Sequence, residues 1–189
     1  MILHEYWGVN EQIQAVAKRY AGEGICALVV DLYGGRLAKD ASEAMELMKA
    51  LDREVALKQI AAAVAELRAH ARCNGKVALT GYCMGGALTF RAAAEIRGLA
   101  CTVPFYGLPG DGEWSKVDAP IQAHFASEDD WATVAGAQKI KDAVPVAMEL
   151  HVYEAKHAFC NERRPEVYDA EAAATAWQRA VAFIRANAA

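Results

Sequence analysis

Apolar residues in this chain follow two rhythms. Short runs such as "ICALVVD" and "KVALT" place hydrophobic residues at successive rather than alternate positions, as in strands buried on both faces. Longer segments carry them in helical patterns. The short apolar runs predict strands over Met1–Glu5, Ile25–Asp31, Lys76–Thr80, Leu99–Tyr106, Ile121–Ala126 and Ala147–Tyr153. The second rhythm predicts helices near Glu11–Ala21, Ala41–Ala71, Gly85–Arg97, Ala132–Ala143 and Ala170–Asn187. Strand and helix in repetition predict an α/β fold, a mostly parallel sheet with helices on both faces. Asp40–Cys73 holds neither Gly nor Pro, yet is long for one globular helix. Asp52 in "ALDREVALKQI" can cap a second helix, so two helices with a break near Leu51 are expected. With no repeat, low-complexity stretch or linker, residues 1–189 read as one domain.

Composition narrows the function. A chain of 189 residues that is 54% hydrophobic can bury a sizeable core. A formal charge of -4 with no basic stripe argues against a nucleic-acid partner. The opening "MILHEYWGVN" lacks a cationic leader pattern, and no apolar run approaches the roughly 18 residues of a membrane span. Five scattered cysteines form no CxxC pair, metal-ligand cluster or disulfide framework. A reducing cytoplasm is therefore expected, with no metal and no cofactor. Cys26, Cys73 and Cys101 read as ordinary core thiols.

Cys83 is different. In "TGYCMGGALTF" it stands between Gly81 and Gly85, with Gly86 next, after a strand pattern and before a helical one. A nucleophile on a sharp strand-to-helix turn needs small neighbours, because strand and helix crowd together there. The helix dipole would further favour thiolate over thiol. A dinucleotide fingerprint is excluded, since "GYCMGG" lacks the second glycine of G-x-G-x-x-G. Such a nucleophile needs a base and an orienting acid, in the order nucleophile, acid, histidine. His4, His124 and His151 fall inside strand patterns, and His70 closes a polar helix end. His157 lies just past the last strand, where groups on parallel sheets collect. It is the candidate base. In "IQAHFASEDDWATV", Glu128, Asp129 and Asp130 follow a strand and precede a helix, and spacing alone does not choose among them.

Five segments in register resemble the dienelactone hydrolase family of α/β hydrolases: "HEYWGVN" from His4, "DLYGG" from Asp31, "GYCMGGAL" from Gly81, "HFASEDD" from His124 and "HAF" from His157. The resemblance runs from His4 almost to the C-terminus. It implies Cys83 as nucleophile, His157 as base and Asp129 as orienting acid. It also implies Glu5 as a glutamate that contacts the resting nucleophile, and the backbone N–H groups of Tyr6 and Met84 as an oxyanion hole. Family members usually carry additional strands before "HE", so the N-terminal strands are expected to be reduced or absent. Where the family places a substrate-binding arginine this chain has Asn161, which predicts neutral rather than carboxylate-bearing substrates, with Arg163 and Arg164 solvated.

The expected activity is hydrolysis of a small ester, lactone or thioester through a cysteine acyl-enzyme. The alternative is a catalytically weak hydrolase-fold protein that binds a small ligand or responds to redox state. The sequence sets neither the acyl group nor the oligomeric state.

Overall fold

The computed structural model describes residues 1–189. Six strands, β1 (Ile2–Leu3), β2 (Val29–Val30), β3 (Ala78–Tyr82), β4 (Cys101–Phe105), β5 (Ile121–Glu128) and β6 (Met148–Lys156), form one parallel sheet in the order β2-β1-β3-β4-β5-β6. The chain reverses its direction of travel across the sheet between β1 and β3. A crevice opens at such a switch point, beyond the carboxyl ends of the strands.

Helices cover both faces. On one side α1 (Glu11–Gly22) and α6 (Ala170–Ala188) contribute Ile13, Tyr20, Ala176 and Trp177 to a core shared with Val103 and Phe105 of β4. On the other, α3 (Arg53–Ala69) and α4 (Met84–Glu95) pack Ile60, Val64 and Leu88 over Leu3 and Leu79. α5 (Val134–Ala143) closes the same side with Ala137 and Ile140 over Ile121 and Phe125. Each fully buried Leu, Ile or Phe contributes about 1.5–3 kcal/mol. No helix is long and apolar enough to cross a membrane.

The break near Leu51 is real. α2 (Ala41–Ala50) ends there, and Asp52 Oδ1 accepts the N–H groups of Glu54 and Val55 to start α3. α5 starts two residues later than expected, because Thr133 is its cap. The first two strands are shorter than their apolar runs. The His4 imidazole accepts the Leu32 N–H at 3.1 Å where ladder pairing would have continued, and the Ile25 N–H turns back to the Tyr20 carbonyl. A short 3₁₀ turn at Trp114–Lys116 was not expected from the pattern. Of the three cysteines read as core, Cys101 is buried, Cys73 is half-buried and Cys26 is exposed. Cys26 precedes the outermost strand, β2, which has a neighbour on one side only.

Candidate active site

The β3–α4 turn positions the candidate nucleophile. Cys83 has φ 55 and ψ -115, a conformation that costs a non-glycine residue about 1–3 kcal/mol. Packing holds it there. A Cβ on Gly81 would overlap the Gly85 carbonyl, and one on Gly85 would lie 2.5 Å from the Leu3 carbonyl oxygen. Strand, turn and helix therefore close up only around glycine. Three non-glycine residues have positive φ, namely Cys83, Tyr106 and Ala158, and all three line one cavity at the carboxyl ends of the strands.

β5 and β6 run past the positions expected of them and end at Glu128 and Lys156, with a register shift between Ala126 and Glu128. Asp129 and His157 are the next residues in each case. The His157 Nδ1–Asp129 Oδ2 distance is 2.6 Å. Asp129 Oδ1 accepts the N–H groups of Trp131 and Ala132, each at 2.9 Å, so the carboxylate is fixed at both oxygens. With Nδ1 engaged, Nε2 is the imidazole atom left for Cys83. Asp130 is exposed and makes no such bonds. The acid that spacing left open is thus the one beside the histidine.

The electrostatics follow from this pairing. Burial works against a charge on His157, but the hydrogen bond to Asp129 and the nearby Cys83 sulfur outweigh it, pushing the imidazole up to about 10. Burial would likewise raise the Asp129 carboxyl, yet His157 and the two backbone donors hold it below the usual range. Glu5 is buried, and burial pushes its carboxyl up against the pull of its partners. Its Oε2 accepts the Asn161 amide at 2.7 Å and its Oε1 the Tyr106 hydroxyl at 3.3 Å.

Glu5, Tyr6, Cys83, Met84, Asp129 and His157 line the same cavity. The Met84 N–H lies in the first turn of α4, where amides lack intrahelical acceptors. No group of three or more His, Cys, Asp or Glu side chains has metal-holding geometry.

Asn161 corrects an expectation. It is 2% exposed and donates to Glu5, so it stands behind the glutamate and is not a substrate contact. Arg164, read as solvated, instead lines the cavity while pairing with Glu166. Arg163 pairs with Glu11 and is exposed. Tyr106 was missed as a site residue. Besides reaching Glu5, its ring stands edge-on to His157 at 5.3 Å. Its place at the end of a strand was the one available signal. Trp131, 67% exposed, lines the mouth with its ring 6.4 Å from His157.

The family model described as the dienelactone hydrolase family matches residues 1–188. The chain is 32% identical over 203 residues to Protein usf of Aquifex pyrophilus, covering 98% of this chain and 86% of that one. It is 31% identical over 200 residues to a carboxymethylenebutenolidase of Pseudomonas sp. (strain P51), covering 98% and 83%. Among solved structures, a dienelactone hydrolase-like promiscuous phosphotriesterase from metagenomic libraries superposes with a TM-score of 0.88 at 23% identity. That alignment covers 98% of this chain and 84% of the other.

Proposed function

Because this chain belongs to the dienelactone hydrolase family and is a hydrolase of α/β-hydrolase fold, we propose that it cleaves a small ester or lactone through an acyl-enzyme on Cys83. The observation that carries this reading is the His157–Asp129 pair at 2.6 Å, sharing one cavity with a strained Cys83. The carboxymethylenebutenolidase relative supports a lactone among the substrates.

His157 accepts the Cys83 proton or keeps the thiolate paired, and Asp129 stabilises the charge on the imidazole. The thiolate attacks the carbonyl carbon and a C–S bond forms. Negative charge collects on the carbonyl oxygen, where the backbone N–H groups of Tyr6 and Met84 receive it. One such donor is worth about 2.7–4 kcal/mol. As the tetrahedral intermediate collapses the C–O bond breaks, and His157 gives its proton to the departing alkoxide. Neutral His157 then takes a proton from water, which attacks the thioester. The C–S bond breaks, releasing the acid and restoring the thiolate beside a protonated imidazole. Asp129 keeps Nδ1 occupied throughout, so Nε2 carries every transfer. Glu5, gripped by Asn161 and Tyr106, stands fixed at the cavity wall as a positioning group for the nucleophile.

The ligand-binding or redox-scaffold alternative is not favoured, since a silent site would not need the strained turn and the paired histidine together. Acid quenching during turnover of a p-nitrophenyl ester should trap the acyl mass on the Cys83 peptide. Cys83→Ala should give neither adduct nor burst. Wild-type turnover in Cys83→Ala would overturn the reading.

A further inference from the structure

The cavity extends well beyond the reacting atoms and encloses about 810 Å³, enough for a drug-sized molecule. One wall of it is apolar. Met84, Ala87 and Leu88 follow Cys83 at the spacing of a single stripe of α4 and line the space together. Met48 in the last turn of α2 and Leu51 at the break before α3 extend this wall. Both pack, with Tyr6, against the core that contains Met84 and Leu88. The Tyr33 hydroxyl, outside the cavity, donates to Met84 Sδ at 3.3 Å and holds that side chain in place.

The charged groups of the lining stand elsewhere. Lys49, Arg53, Glu128, Asp130 and Lys156 are exposed at the rim. Arg164 is paired with Glu166. Arg91 is half-buried one turn beyond Ala87 and Leu88, and it donates to the Asp111 carbonyl.

The reaction decides which part of a substrate meets the apolar wall. The departing oxygen must reach His157 Nε2, and the carbonyl oxygen must reach the amides of Tyr6 and Met84. With the Cys83 sulfur as a third neighbour, the carbonyl carbon has one bond left, the one to the acyl chain. β5 and β6, which end at Asp129 and His157, lie to one side of β3. Leu3 of β1 and Leu32 just past β2, which share a core with Met84 and Leu88, lie to the other. The wall is thus on the side away from the histidine.

We propose that Met48, Leu51, Met84, Ala87 and Leu88 form a subsite for an unbranched, uncharged acyl chain, so that medium-chain acyl esters are the preferred substrates. The assignment rests on Cys83 as the nucleophile and His157 as its base. Unbranched methionine side chains adapt to such a chain. An apolar wall also disfavours a charged acyl group through desolvation, with no need of Asn161 at the cavity. The stripe sets a length as well. Leu88 lies roughly 7.5 Å of helical rise from Cys83, and Arg91 roughly 12 Å. A chain that grows past Leu88 leaves the apolar wall and meets a guanidinium.

The test is a chain-length series run on both sides of the ester. p-Nitrophenyl acetate, butyrate, hexanoate, octanoate and laurate, kept below their micellar concentrations, vary the acyl chain. Acetates of ethanol, butanol, hexanol and octanol vary the alcohol. From acetate to hexanoate kcat/KM should rise by up to about fourfold per methylene, and the rise should end before laurate. The alcohol series should stay nearly flat. Ala87→Trp fills the wall, and the hexanoate-to-acetate ratio of kcat/KM should fall about tenfold. Met48→Gln, at a half-buried position, should lower the same ratio by less, and it carries the test if Ala87→Trp does not fold. A flat acyl series, a rise that continues to laurate, an equal gain in the alcohol series or a ratio unchanged in the folded variants overturns the subsite. Hexanoate hydrolysis that persists in Cys83→Ala fells the nucleophile assignment instead, so the two failures are told apart.

Discussion

Two histidines of this protein, one buried and one half-buried, carry opposite charge preferences. His124 sits inside the sheet, with its ring stacked on Phe105 at 4.4 Å. Its Nε2 faces Gln122 Oε1 at 3.2 Å and its Nδ1 faces the Tyr153 hydroxyl at 2.9 Å. The Gln122 amide nitrogen is committed to Glu149, so Oε1 can only accept and His124 Nε2 bears the proton. Burial, with His151 and Arg179 nearby, drives its pKa well below the ordinary value. His157 stands at the carboxyl edge of the same sheet, and Asp129 with Cys83 takes it up to about 10. Both rings lose part or all of their water, but only one has a carboxylate in contact. A histidine that can carry charge through a reaction is made by its partner, and a histidine without one becomes part of the core.

The comparison can be broken at several points. His157→Gln should lower kcat by roughly 10⁵–10⁶, near the loss seen when the base of a serine hydrolase is removed. His124→Gln should act on stability and spare kcat by comparison, and a collapse of kcat in the folded variant would contradict the division of roles. Asp129→Asn should cost about 10⁴ in kcat, since an amide favours the wrong tautomer. It should also bring His157 back toward an ordinary titration in NMR. A smaller loss there than in Asp130→Asn would show that the wrong acid had been paired with the histidine.

Smaller effects sharpen the contrast. Tyr153→Phe removes the hydroxyl that His124 and Arg179 share, so it should cost about 1–2 kcal/mol and lower Tm by about 2–8 °C. Its kcat should stay close to wild type. The smallest signal is pH linkage. The folded pKa of His157 is raised, so its contribution to stability is complete below about 6.5 and is lost as pH rises through about 10. Asp129 is held below its ordinary range, so its contribution stands above about 3.9 and fades on acidification through its depressed folded value. The Tm gap between wild type and Asp129→Asn should therefore narrow steadily from about pH 6.5 to about pH 10. A constant gap over that range would mean that the pair adds no charge-dependent stability.

Much of the architecture was written locally. Short apolar stretches marked all six strands, and the Asp52 cap marked the division between α2 and α3, because backbone geometry and capping are decided within a few residues. The Gly81-x-Cys83-x-Gly85 turn was equally legible, since its steric demand falls on immediate neighbours. Element ends were less so. β1 stops at Leu3 because a histidine ring takes the place of the ladder, and β5 and β6 continue because they pair with each other beyond the apolar run.

What the tertiary structure alone decided is where polar side chains point. Asp129 and His157 meet across 28 residues, and Glu5 and Asn161 across 156. Nothing in local spacing says that Asn161 turns inward to a carboxylate while Arg164, three residues on, lines the cavity. The same holds for Arg91, which a helical pattern places on α4 but only the assembled fold directs to the Asp111 carbonyl. Periodicity records which residues avoid water. The partner that a buried or half-buried charge finds depends on contacts between distant segments, and those exist only once the sheet has assembled.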